Sequence, residues 1–149
     1  MENFKLNLYI FLQIPIAWIA GVRLHSLNEK QCTTKVRFGW LNQNPFRSMF
    51  WAVQGMAAEF STGFLCAEKI RKSGKKISML VVKNEATFTK KAVGRITFSC
   101  AQGLALDEIL EKAIATGEGQ ILTMHSEGKD EKGDTVASFS FTWSFKLKG

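Results

Sequence analysis

Residues 44–65, reading NPFRSMFWAVQGMAAEFSTGFL, constrain the fold of this chain more than any other stretch. Asn44 followed by Pro45 predicts a helix start, because an Asn side chain accepts otherwise orphaned N–H bonds and Pro suits the first helical turn. The segment is then apolar on nearly every side, which describes a helix enclosed by protein rather than one lying on a surface. Between Arg47 and Glu68 there is a single charge, Glu59. A helix over about residues 45–70 that is buried on most sides needs a sheet curled around it.

Helical spacing divides the segment into two stripes. Met49, Val53, Met56, Phe60 and Phe64 form a bulky one, while Ser48, Ala52, Gly55, Glu59, Thr62 and Gly63 form one of small side chains around the carboxylate. Glycine inside a helix costs about 1 kcal/mol relative to alanine, so Gly55 and Gly63 imply close approach by backbone or ligand. Two readings follow. Either the glycines serve packing and Glu59 is paired with an arginine or backbone donors, or a narrow groove presents one acid to a ligand.

The flanking segments supply a sheet. Residues 137–145 alternate Ala137, Phe139, Phe141, Trp143 and Phe145 with Ser138, Ser140, Thr142 and Ser144, the pattern of a strand covered on one side. Residues 77–88, 95–101 and 118–127 are further strands, and residues 22–27 a short one. In residues 33–40, Val36, Phe38 and Trp40 share one strand face. Leu106, Ile109, Leu110, Ala113 and Ile114 line a helical face stopped by Gly117. Residues 128–134 read as a charged hairpin loop. Residues 4–19 are strongly apolar but short for a membrane span and interrupted by Lys5, Asn7, Gln13 and Pro15; they predict an N-terminal helix restarted near Pro15 and ended at Gly21, with no membrane insertion. The class is α+β, a single domain over residues 1–149.

Composition narrows the chemistry. Cys32, Cys66 and Cys100 are an odd number in no metal-ligand spacing, as expected of reduced core thiols in a cytoplasmic protein. With His25 and His125 the only histidines and no P-loop or dinucleotide fingerprint, neither metal nor cofactor is expected. The net charge of +7 suits nucleic acid, an anionic membrane surface or a phosphate-bearing ligand. Much of it lies in residues 69–76, a run without interleaved aromatics, which disfavours nucleic acid.

This order of elements, with these residues on the central helix, resembles the hotdog fold, and within it the acyl-CoA thioesterases similar to phenylacetyl-CoA thioesterase together with a sparsely characterised bacterial subgroup. The resemblance rests on Asn44 ahead of the helix, Ser48-Met49-Phe50 at its start, Glu59 fifteen residues after Asn44, and Phe88-Thr89-Lys90-Lys91 ahead of Gly94. It implies a homodimer or dimer of dimers with sites between subunits, acting on an acyl-CoA or acyl-carrier-protein thioester. Glu59 would be the catalytic carboxylate and Asn44 would order the loop or a water. Amides near Phe50, Trp51 and Ala52 would face the thioester carbonyl, Gly55 and Thr62 would line the substrate site, and Arg47, Lys90, Lys91 and Arg95 would meet the phosphates of coenzyme A. Better-known relatives often have His and Gly where this chain has Phe50-Trp51-Ala52. That departure admits a non-catalytic module binding acyl-CoA or a fatty acyl ligand. A basic surface binder using residues 69–76 is a remote third reading.

Overall fold

The computed structural model describes residues 2–149. Helices α1 (Glu2–Gln13) and α2 (Pro15–Ala20) are separated at Ile14, and Gly21 ends α2 in the left-handed conformation, as the sequence predicts. Strands β1 (Arg23–Leu27) and β2 (Cys32–Arg37) precede the central helix α3 (Trp51–Ser73). Then come β3 (Ile77–Phe88), β4 (Arg95–Cys100), helix α4 (Gly103–Thr116), β5 (Gln120–Lys129) and β6 (Thr135–Leu147). The six strands form one antiparallel sheet in the order β1-β2-β4-β5-β6-β3.

The alternation in β6 is the inner wall of this sheet: Ala137, Phe139, Phe141, Trp143 and Phe145 are buried, and the serines and threonine between them face outward. α3 lies against that wall. A Cβ built on Gly55 would touch the Phe139 ring at 3.6 Å and one on Gly63 the Trp143 ring at 3.4 Å. Both glycines thus sit at the helix–sheet contact, with room for a Cβ at ordinary van der Waals distance. Three polar contacts set the rotation of the helix: Thr34 Oγ1 donates to the Ala57 carbonyl (2.6 Å), the Ser61 and Ser126 hydroxyls share a bond (2.6 Å), and Trp143 Nε1 donates to Thr62 Oγ1 (2.9 Å). Inside a core such bonds fix register because leaving one polar partner alone is expensive.

Two expectations need correction. The central helix begins at Trp51, six residues later than Pro45. Asn44 does not cap it; its Oδ1 accepts from the Phe46 and Ser48 N–H groups and its Nδ2 donates to Ser48 Oγ, closing a loop in which Arg47 takes a φ of 60°. Asn-Pro opens turns as readily as helices, and the side chain was captured by its own loop. Trp40 lies outside the strand and is 80% exposed. The Asn42 side chain accepts the Gly39 N–H and donates to the Ala20 and Arg37 carbonyls, coiling residues 40–42 into a 3-10 turn that carries Trp40 away from the core.

The basic run after the centre of α3 is largely structural. Buried Lys69 pairs with Asp107 (2.8 Å) and Glu29 (3.4 Å), Lys72 reaches Glu29, and Arg71 pairs with Glu68 (2.7 Å). The Lys69 and Lys72 pairs tie α3 to the β1–β2 turn and to α4, while Arg71–Glu68 lies within α3. Cys32, Cys66 and Cys100 are free and buried, and desolvation raises the Cys32 thiol to about 12, which keeps it inert. No helix among the described residues is long and apolar enough to cross a membrane.

Because the Thr62 hydroxyl is the acceptor for a buried indole N–H, Thr62→Val should destabilise the fold by about 1–3 kcal/mol, read as a lower urea midpoint with an unchanged slope.

Candidate active site

Glu59 lies on the helix face between Gly55 and Gly63 and opens at the edge of the contact between α3 and the sheet. There it lines a cavity of about 450 Å³ with Leu6 and Tyr9 of α1, Phe64 of α3, Met79 of β3 and Trp143 of β6. The walls are apolar except toward the far end, where the Glu68–Arg71 ion pair sits. Among the described residues no arginine or backbone donor is bonded to the Glu59 carboxylate. Burial alone raises its carboxyl above the ordinary value of 4.5, and the side chain is only partly covered. A carboxylate raised by desolvation and open to a cavity is the arrangement expected of a proton acceptor.

A second cavity, of about 490 Å³, lies at the start of α3. Asn44, Phe50, Trp51, Gln54, Phe88, Lys90 and Lys91 line it. The approach to the helix is pinned by two backbone bonds, Met49 N–H to the Ala92 carbonyl and Phe50 N–H to the Asn42 carbonyl. The Val53 and Gln54 N–H groups close on the Phe50 carbonyl, while those of Trp51 and Ala52 point out of the helix end, and no side chain caps them. Phe50 and Trp51 are 45% and 58% exposed, so they frame this opening and do not plug it. Gln54 contributes a feature that sequence reading missed. It is 4% exposed, its Nε2 donates to the Met49 carbonyl (3.3 Å), and its Oε1 has no hydrogen-bond partner among the described residues. Nothing in the sequence marks it, because one glutamine in an apolar helix acquires meaning only from what surrounds it.

The expected site residues thus separate into groups. Asn44, Phe50, Trp51, Lys90 and Lys91 meet at the second cavity and Glu59 stands in the first. Trp51 and Glu59 are eight residues apart on the helix, a rise of about 12 Å. Ala52 is partly buried beside the helix opening. Gly55 faces Phe139 and Thr62 is bonded to Trp143 and to the Glu59 carbonyl, so neither lines a cavity. Lys90 is held by Asp130 (2.6 Å) and Asp134 (2.8 Å), whose hydrogen bonds raise its pKa, and Lys91 donates to the Phe46 carbonyl (3.2 Å). Arg47 and Arg95 line neither cavity; the Arg95 N–H is bonded to Glu131. No group of three or more metal-ligating side chains occurs among the described residues.

One long helix held in the concavity of a six-stranded antiparallel sheet defines a hotdog fold, the architecture of several solved thioesterase-type proteins. A Chlorobaculum tepidum protein of unknown function superposes with a TM-score of 0.82 at 13% identity, covering 98% of this chain and 94% of its own. A Pseudomonas aeruginosa protein of unknown function, described as a probable thioesterase, gives 0.81 at 17% identity, with coverage of 97% and 96%. A thioesterase from Haemophilus influenzae gives 0.74 at 12% identity, with coverage of 97% and 90%. No curated protein matches the sequence. The chain belongs to the DUF4442 family, a domain of unknown function, whose model matches residues 5–145.

The surroundings of Glu59 make a prediction about stability. Burial favours its neutral form, so ionisation is harder in the folded than in the unfolded chain, and stability is lost as pH rises through the raised folded pKa. Glu59→Gln should therefore raise Tm at pH 7, and the gap between the two proteins should close below pH 4.5. Equal melting temperatures across that range would contradict the burial argument.

Proposed function

We propose that this protein hydrolyses an acyl thioester carried by coenzyme A or an acyl-carrier protein, at a site completed by two copies of the chain. The observation that carries the reading is the unpaired Glu59 carboxylate in an apolar cavity, with an uncapped helix start on the same helix. The amides of Trp51 and Ala52 would polarise the thioester carbonyl and stabilise the oxyanion that forms on it. Glu59 would take a proton from the attacking water. The C–S bond then breaks, and the proton passes to the departing thiolate, restoring the carboxylate. The apolar walls around Glu59 suit an acyl chain, and Lys90 and Lys91 suit the phosphate-bearing carrier. Asn44 acts as a positioning residue by holding the loop that leads into α3.

The separation of about 12 Å within one chain supports the two-copy arrangement, since one carbonyl cannot meet both groups. So does β3. It is a twelve-residue edge strand with Leu80 (64%), Val82 (50%) and Phe88 (46%) exposed, and an unprotected edge of that length invites pairing with its own copy. Two-fold pairing there would bring the Glu59 cavity of one copy toward the helix opening of the other.

Thiol release from a panel of short, medium, long and aryl acyl-CoAs tests the chemistry. Turnover is expected for at least one member, with Glu59→Gln lowering kcat by about 10²–10⁴-fold and the acid limb of the native pH profile lying above 4.5. A folded native protein inactive on every member would favour the non-catalytic acyl-binding module instead. Mixing tests the shared site: Glu59→Gln and Asn44→Ala chains, each impaired alone, should regain activity on subunit exchange, because one of the two sites then has both native residues. Failure to regain it would place both groups within one chain.

A further inference from the structure

The orphaned Gln54 acceptor carries an inference that rests on the proposed thioester reading and extends it to the chemistry of the carrier. Gln54 is buried and lines the same cavity as Trp51, at the start of α3, and Lys90 and Lys91. Its side chain is oriented by one bond, Nε2 to the Met49 carbonyl, and this leaves Oε1 as an acceptor with no donor among the described residues. A buried acceptor of this kind is destabilising unless a donor arrives. The identity of that donor can be argued from what else the cavity would hold. A thioester carbonyl and its sulfur donate nothing, and phosphates on a carrier are ionised acceptors suited to the lysines. Between them a pantetheine-type arm has amide N–H groups, the first of them separated from the sulfur by two methylenes. That N–H is a donor close enough to the thioester to enter the cavity when the carbonyl sits on the helix end.

We infer that Gln54 is a specificity-determining residue whose side-chain carbonyl accepts the amide N–H nearest the thioester sulfur, so that the site selects thioesters of amide-bearing, pantetheine-type carriers over simple alkyl thioesters. Glutamine suits this task where glutamate would not: a charge buried beside the helix opening would compete for the oxyanion site, whereas a neutral carbonyl reads a donor without opposing it. Because coenzyme A and a carrier-protein prosthetic group share this arm, the same contact serves either source. The lysines and the surface around them would distinguish the two.

The test uses a matched pair of substrates, an acyl N-acetylcysteamine thioester and the same compound N-methylated at that amide, which removes the one donor and leaves the thioester intact. The full-length native protein should show kcat/KM about tenfold lower for the N-methyl compound. Gln54→Met, close in size and without the acceptor, should bring the ratio of the two substrates to about one, while thermal unfolding confirms that the variant is folded. Equal rates on both substrates by the native protein, or an unchanged ratio in Gln54→Met, would overturn the inference and leave thioester hydrolysis standing. If neither substrate is hydrolysed, the thioesterase reading fails separately. Binding of the two non-hydrolysable thioether analogues then decides: about tenfold weaker binding of the N-methyl form supports the contact, and equal or absent binding overturns it.

Discussion

The seating of α3 on the inner face of the sheet is the contact on which everything else depends. It sets Gly55 against the Phe139 ring and Gly63 against the Trp143 ring. It is then locked in rotation by Thr34, Ser61 and Thr62. With Ala57, Ala58, Ser61 and Thr62 committed to the interior, helical geometry leaves Glu59 turned toward the gap between α1 and β3. A packing requirement, expressed in small and hydroxyl-bearing side chains, therefore aims the carboxylate.

Where the molecule departs from good packing, the departures cluster. Among the described residues, Glu59 is raised by burial without a compensating partner, Gln54 has a buried acceptor without a donor, and the α3 start lacks a side-chain cap. The rest of the chain is well satisfied by comparison. Even the buried ammonium of Lys69 has two carboxylates, Glu29 and Asp107. Unsatisfied groups on one helix, beside two cavities, are the kind of local inconsistency that marks a functional surface.

The charge pattern sorts in the same way. Residues 69–76 are a basic run in sequence, yet Lys69 is interior, Lys69 and Lys72 join carboxylates of neighbouring elements, and Arg71 joins Glu68 one turn back on α3. Lys90 and Lys91, which the resemblance marks as phosphate contacts, come to the second cavity because β3 ends there beside the loop that precedes α3. Their partners, two aspartates and a carbonyl, hold both side chains in place.

Periodicity by itself determined the wrapped helix, the inward face of β6, the small helix α4 and the N-terminal helix restarted at Pro15, because a side chain's direction within a helix or strand depends on local geometry. Glu59 was legible for the same reason, as a lone charge in an apolar stripe. The start of α3 was not, since Asn44-Pro45 supports both a turn and a helix, and only bonds to Phe46, Ser48 and Met49 decide between them. Nor were the exposure of Trp40, the commitment of Thr62 to Trp143, or the orphaned oxygen of Gln54. The first and last depend on how a loop and a buried side chain settle among their surroundings, and the second on Trp143, 81 residues away, so only the tertiary structure decides them.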